Sequence, residues 1–265
     1  MMKKNKIDDV KESVKDSSKV KKIIFYGIEI VFVGLIIFSG FKLFTWLNNR
    51  NKSQEITNSF KDAVIINEGI DDSHPNEKYQ VDFEVLKSKN RDTIAWIKVD
   101  GTKIEYPIVK AKNNEYYLKH SFDKSPNIFG WIFANYVNKF DGTDKNITIF
   151  GHGMVDGSMF GTLKDTLKGD WQKDKHYIIL ATENGNSLYE TFSTYRVHDE
   201  AYFYTDNFKN SDEFKNFIKT IKERSNYDYK VGVDENDQIL TLSTCDTDDR
   251  YRLILHAKKI KENVG

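Results

Sequence analysis

The one cysteine of the chain, Cys245, lies in the stretch "QILTLSTCDTDDRYRLILHAKKI", between two runs that read as buried strands. A thiol is a good nucleophile when its thiolate is accessible and stabilised by a nearby imidazole or guanidinium. Without such neighbours a free cysteine is a small buried hydrophobe. The imidazoles on offer are His74, His120, His152, His176, His198 and His256. His74 sits in a polar break and His198 beside an acidic strand end, where solvation accounts for both. His256 lies inside the last strand and faces core or solvent depending on register. His152 is placed differently. In "TIFGHGMVDGSMFG" it follows a buried strand and stands among glycines that let the backbone turn and a ligand approach. Loops held at strand ends are where reactive side chains tend to sit.

An arginine completes the set. Cys245 and Arg252 are separated by the polar turn "DTDDRY", so two antiparallel strands return a guanidinium beside the thiol. A permanent cation there would bind a substrate carbonyl or stabilise the oxyanion of acyl transfer. Arg250 competes for this role from inside the turn. Arg252 is preferred, because it begins the apolar run and shares a strand face with Ile254 and His256. The order His, Cys, Arg taken as spacing alone is a moderate signal, since any chain with several of each supplies it. One cysteine and scattered histidines give no zinc spacing, and "DENDQ" lacks the alternating ligands and glycine of a calcium loop. No metal is expected, and no cofactor, because amide exchange needs a nucleophile, a proton donor and an oxyanion stabiliser only.

The elements that must hold these residues are mostly strands. "TIAWIKV" and "KIEYPIV" flank "DGT", which predicts a hairpin. "NIFGWIFA", "NITIFGH", "HYIILAT", "LYETFSTYRV", "QILTLST" and "YRLILHAKKI" follow, with Gly, Asn and Asp clusters between them. The set suggests a small barrel or sandwich. Residues 211–225, "SDEFKNFIKTIKERS", predict an amphipathic helix with Phe214, Phe217, Ile218 and Ile221 on one face. A shorter helical pattern, "DFEVLKSKN", precedes the strands, and "ITNSFKDAVIINEGI" reads as a helix ending near Gly69.

Charge points away from polyanions: Lys+Arg and Asp+Glu are equal at 40 each, so nucleic acid is not an expected partner. Residues 23–41 are apolar with a single charge, Glu29, and can span a hydrocarbon core of ~30 Å. The run exceeds the usual signal-peptide core and no small-residue cleavage site follows, which favours an uncleaved anchor. Eight lysines against four acidic residues in residues 1–22 predict a cytoplasmic N-terminus. The expected organisation is a basic tail over 1–22, an anchor over 23–46, a helical linker over 47–80 and a catalytic domain over 81–265 outside the cell. In that oxidising location structural cysteines normally pair, and a lone thiol has no intramolecular partner, so on count alone Cys245 reads as a small buried hydrophobe until its neighbourhood argues otherwise.

With "TLSTC", the "GH" of "TIFGHGM" and the arginine opening "RLILHAK", the chain resembles the class B sortases of Gram-positive bacteria. "WIKVDGTKIEYPIV", "YYLKHSFD" and "GWIFANY" support the match, which covers roughly residues 83–261. The resemblance implies an eight-stranded β-barrel with the helix 211–225 between its sixth and seventh strands. It also implies a cysteine transpeptidase in which Cys245 attacks the Thr carbonyl of a C-terminal sorting signal and forms a thioacyl enzyme. His152 would act as acid and then base, and Arg252 would position substrate and stabilise the oxyanion. Ser243 and Asp246 match groove-lining positions. The implied partners are surface proteins bearing sorting signals, peptidoglycan or its lipid-linked precursor, and the membrane. Other readings remain beside it. An L,D-transpeptidase places its cysteine after Ser-x-Gly, and "LSTCDT" lacks that glycine. A papain-like hydrolase has Cys before His. A membrane-anchored binding domain would merely bury Cys245.

Overall fold

The computed structural model describes residues 2–70, 74, 78–198, 200–245 and 250–262. The chain divides into two compact units, Met1–Asn51 and Lys52–Gly265. The first consists of most of a long helix, α1 (Met2–Asn58). Its apolar side chains, such as Ile30 and Ile36, are exposed. Among the described residues this is the one helix long and apolar enough to cross a membrane.

The second unit opens on the end of α1, where buried Ser53 accepts a hydrogen bond from Asn127 Nδ2 at 3.0 Å. The helix predicted to reach Gly69 stops well short of it. A 3₁₀ turn, Lys61–Ala63, leads into β1 (Val64–Ile66), which pairs antiparallel with β2 (Tyr79–Val81). The reason is local. Phe60 is buried edge-on against Phe122 and Trp131, which fixes the chain there, and the β-branched Val64, Ile65 and Ile66 then find a partner strand. A short apolar run fits either period, so periodicity alone misassigns it. Helix α2 (Phe83–Lys89) follows, capped by Asp82, whose carboxylate accepts from Val85 N at 3.0 Å.

The hairpin is present as β3 (Thr93–Val99) and β4 (Glu105–Val109). Gly101 in its turn has φ +68, and a Cβ there would lie 2.6 Å from Trp171 Nε1, so both backbone and space require glycine. The next strand is shorter than expected. Of "NIFGWIFA" only β5 (Phe133–Ala134) pairs, because residues 127–130 turn, with Gly130 N bonded to Asn127 O. Then come β6 (Asn146–Phe150), the short helix α3 (Gly169–Gln172), β7 (Tyr177–Thr182) and β8 (Gly185–His198). Helix α4 (Ser211–Glu223), β9 (Ile239–Cys245) and β10 (Tyr251–Glu262) complete the unit.

Strands β3 to β10 close into an eight-stranded barrel in the order β10-β8-β7-β3-β4-β5-β6-β9. Pairs β4–β5 and β6–β9 are parallel and the remaining pairs antiparallel. Closure removes the exposed edges that an open sheet of this kind would present. Helix α4 falls between the sixth and seventh barrel strands, as the resemblance implied. Asn210 caps it by accepting from Glu213 N, while the Glu213 carboxylate accepts from Lys209 N at 2.6 Å. Its face of Phe214, Phe217, Ile218 and Ile221 packs on Phe192, Tyr195, Ile239 and Ile254.

Register settles His256: it faces the core and is 0% exposed. Burial pushes its pKa down from 6.5 to about 3, so it is neutral in the folded protein. The unfolded chain takes up a proton at this side chain as pH falls through 6.5, and the folded chain does so only near 3. Stability that is complete above 6.5 is therefore lost toward acid, with a slope of about 1.4 kcal/mol per pH unit from this group alone. His256→Phe removes that increment, so the unfolding free energies of the two proteins, measured by urea denaturation at pH 7, 6 and 5, fall with different slopes.

Candidate active site

Three neighbouring strands meet at one rim of the barrel. β6 and β9 run parallel with Phe150 opposite Ser243, and Gly151 N extends the ladder to Ser243 O at 3.2 Å. Chain leaving either strand at its C-terminal end is therefore delivered to the same rim. His152 follows β6 there, and Cys245 ends β9. The antiparallel β10 sets Arg252 directly opposite Cys245, a pairing that holds Cα atoms about 4.5–5.5 Å apart.

A cleft of about 290 Å³ opens at this rim, bounded by Leu118, Phe133, Phe150, Phe203 and Tyr204 on its apolar side. Its polar lining includes Asn114, His152, Ser243, Thr244 and Arg252. Arg250 is not part of that lining. It is exposed in the turn, with its guanidinium 6.0 Å from the Tyr251 ring. Ser243 is buried at the cleft floor. Asp246 lies outside the described residues, and Cys245 is described by its strand position.

His152 is held by a backbone group. Its Nε2 lies 2.8 Å from Leu118 O. A carbonyl only accepts, so Nε2 carries the hydrogen and Nδ1 is the nitrogen left to exchange protons. The carbonyl is itself well fixed. Trp131 N donates to Tyr117 O and Asn127 N to Lys119 O, both at 2.9 Å, on either side of Leu118. Beneath them the Tyr117 hydroxyl donates to Asp92 Oδ2 at 2.7 Å and accepts from Asn90 Nδ2 at 2.8 Å. Burial, aided by the Asp92 carboxylate, raises the Tyr117 phenol well above its ordinary range. On the other side of His152 its own carbonyl accepts from Phe160 N at 2.9 Å, which folds the glycine-rich loop back on itself. Met159 N in that loop donates to Tyr106 Oη at 3.0 Å.

The other histidines are engaged elsewhere. His120 stacks on Tyr116 at 4.1 Å, His176 stacks on Trp171 at 3.9 Å beside Asp100, and His198 lies 4.3 Å from the Tyr251 ring. Among the described residues no cluster of three or more His, Cys, Asp or Glu side chains could hold a metal ion. Sequence reasoning missed Leu118, whose contribution is a carbonyl and carries no side-chain signal. It also missed Phe203 and Tyr204. The run "AYFY" was a usable cue, since clustered aromatics in a connecting segment must pack on something.

Residues 97–260 match the family model described as the sortase domain. The chain belongs to the sortase family, the cysteine transpeptidases of cell-wall protein anchoring. It is 30% identical over 251 residues to sortase B of Listeria monocytogenes, covering 91% of this chain and 99% of the relative. Sortase B of Staphylococcus aureus is 27% identical over 241 residues, 88% of this chain and 96% of its own length. The crystal structure of sortase B from B. anthracis aligns with a TM-score of 0.70 at 31% identity, covering 83% of this chain and all (100%) of that one. These relatives place the chain in class B.

Gly130 tests the support of His152. Its φ is +56, and a Cβ would lie 2.4 Å from Tyr117 O and 3.0 Å from His152 Cδ2. Gly130→Ala therefore displaces the imidazole, and peptide-cleavage kinetics are expected to show kcat lowered about 10- to 100-fold, the usual cost of a misplaced reacting group.

Proposed function

We propose that Cys245, His152 and Arg252 carry out the transpeptidation, and that the cleft between them is the groove for a Thr-containing sorting signal. The observation that carries this reading is the register of three adjacent strands, which gathers positions 152, 245 and 252 at one rim. The Cys245 thiolate attacks the Thr carbonyl carbon, and Arg252 stabilises the resulting oxyanion. Collapse expels the amine of the next residue, which takes a proton from Nδ1 of the His152 imidazolium and leaves a thioacyl enzyme. An incoming amine of peptidoglycan or its lipid-linked precursor then gives a proton back to Nδ1 and attacks the thioester. Amide forms, the carbon–sulfur bond breaks, and Cys245 is released. The hydrogen bond from Nε2 to Leu118 O supports this division of labour, because it commits the other nitrogen to proton transfer.

Ser243 and Asp246 belong to the same proposal as groove residues. Ser243 lines the cleft beside Thr244. The apolar helix supports an anchor over residues 23–46, with the lysine-rich tail of residues 1–22 in the cytoplasm and the domain of residues 81–265 outside the cell. Such a tether holds the groove where secreted chains and wall precursors both pass. The partners of this reading are surface proteins bearing C-terminal sorting signals and the wall amine.

The test is cleavage of a fluorogenic Thr-containing sorting peptide. Cys245→Ala is expected to abolish turnover while leaving the fold intact by circular dichroism, and wild-type enzyme trapped without an amine should carry the peptide's acyl mass on Cys245. His152→Ala should lower kcat at least ~100-fold, the scale of a lost general acid and base. Turnover near wild type in Cys245→Ala would sink the mechanism. Arg252→Lys should lower kcat by about tenfold or more, because a point charge cannot reproduce the planar fork, with Arg250→Lys within about twofold of wild type. The reverse pattern would move the role to Arg250.

A further inference from the structure

One wall of the cleft is the 3₁₀ turn Ala201–Tyr204, which contributes Phe203 and Tyr204. A chain of hydrogen bonds, buried at its centre, begins on this turn and ends on it and on Thr205 just after it. Tyr202 Oη donates to Tyr195 Oη at 2.8 Å, and Tyr195 Oη lies 2.8 Å from His256 Nε2. His256 Nδ1 lies 2.8 Å from Thr241 Oγ1, which donates to Asn146 Oδ1 at 2.6 Å. Asn146 Nδ2 then donates to Phe203 O at 3.1 Å and to Thr205 O at 2.9 Å.

Every proton in this chain has a determined place. The carbonyls of Phe203 and Thr205 only accept, so the Asn146 amide NH₂ faces them and its oxygen faces Thr241. The Thr241 hydroxyl spends its hydrogen on that oxygen and must accept from His256, which puts the imidazole hydrogen on Nδ1. Nε2 is then the acceptor that Tyr195 requires, and Tyr195 in turn accepts from Tyr202. A neutral histidine in one tautomer satisfies both ends. Asn146, Thr241 and His256 are each 0% exposed, and none of them lines the cleft.

We propose that Asn146, Thr241 and His256 are positioning residues: their relay clamps the Phe203–Tyr204 wall at both ends and so sets how well the groove holds its peptide. This rests on the cleft being the peptide groove. Asn146, Thr241 and His256 sit on β6, β9 and β10, whose register is held by backbone ladders and not by these side chains, while the relay reaches the wall through backbone carbonyls and through Tyr202, so its loss loosens the wall and leaves His152, Cys245 and Arg252 at their rim. Binding suffers while the chemical step does not.

Steady-state kinetics of the full chain in detergent with the fluorogenic sorting peptide separate the two. Thr241→Val keeps the shape and removes the hydroxyl, so that Asn146 Oδ1 and His256 Nδ1 lose the partner they share, and is expected to raise KM about five- to tenfold. Thr241→Ser keeps the hydroxyl and should stay within about twofold of wild type. Tyr202→Phe, a half-buried change that the fold tolerates, should raise KM about threefold. In each, kcat and the rate at which a small methanethiosulfonate forms a mixed disulfide with Cys245, releasing methanesulfinate, should remain within about twofold of wild type, as expected of residues away from the reacting atoms. Unchanged KM in both Thr241→Val and Tyr202→Phe overturns the proposal, as does a fall of kcat and of the thiol-modification rate together with the rise in KM. Failure of the groove assignment itself would show separately, as a KM unchanged by Tyr204→Ala, which removes part of the cleft's own wall.

Discussion

The parallel pairing of β6 with β9 is the constraint on which the rest depends. Parallel strands cannot be joined by a tight turn, and here the chain passes through β7, β8 and α4 before it returns. In exchange, two strand ends carrying distant stretches of sequence emerge side by side. The antiparallel β10 then folds back across β9, so a third strand contributes to the same rim. Closure of the barrel makes this register hard to change. A slip of one residue would exchange the buried Ile149 and Leu242 for their cleft-side neighbours and scatter the site. The geometry of the proposed chemistry is thus a consequence of core packing on the strands beneath it.

Around that frame the imidazole is oriented by a backbone carbonyl where many hydrolases use a carboxylate. A carbonyl fixes the tautomer and the ring plane without adding a charge at the rim. Its cost is that the carbonyl must be held, which explains the density of bonds around residues 117–131. Trp131, buried completely, spends its indole N–H on Pro107 O at 2.9 Å and its backbone N–H on Tyr117 O. Gly130 supplies the left-handed turn between them. The aromatic knot of Phe60, Phe122 and Trp131 is therefore support for His152 as much as it is core.

Much of this was legible in the sequence, and the gaps have physical reasons. Cys245, His152 and Arg252 stood out because scarce residue types flank β-rich runs, and the closed barrel followed from the family resemblance. Val64–Ile66 forms a strand where the sequence pattern predicts helix, because three apolar residues fit both periods and the partner strand Tyr79–Val81 lies beyond a polar break. β5 is shorter than its apolar run predicts because Gly130 turns the chain inside that run. His256 was undecidable until register fixed its face. Leu118 was invisible, since any residue supplies a carbonyl.

The apolar walls bear on why such an enzyme transfers an acyl group to an amine instead of losing it to water. A thioester that waits for a bulky amine survives only if water is kept from it, and exclusion of water also strengthens the attraction between a guanidinium and an oxyanion. Phe133, Phe150, Phe203 and Tyr204 give the cleft its apolar walls around His152, Ser243 and Arg252. Phe133 and Phe150 are anchored in strands and cannot yield. Phe203 is buried in the apolar cluster of Phe192, Tyr195, Phe214 and Ile254, with Tyr202 and Tyr204 packed against it, but apolar packing is non-directional and does not by itself fix the backbone of the turn. A buried polar relay does this at a cost, because each member must find its partner in a desolvated core. Its return is a wall with one defined position, which a purely apolar contact would leave free to slide.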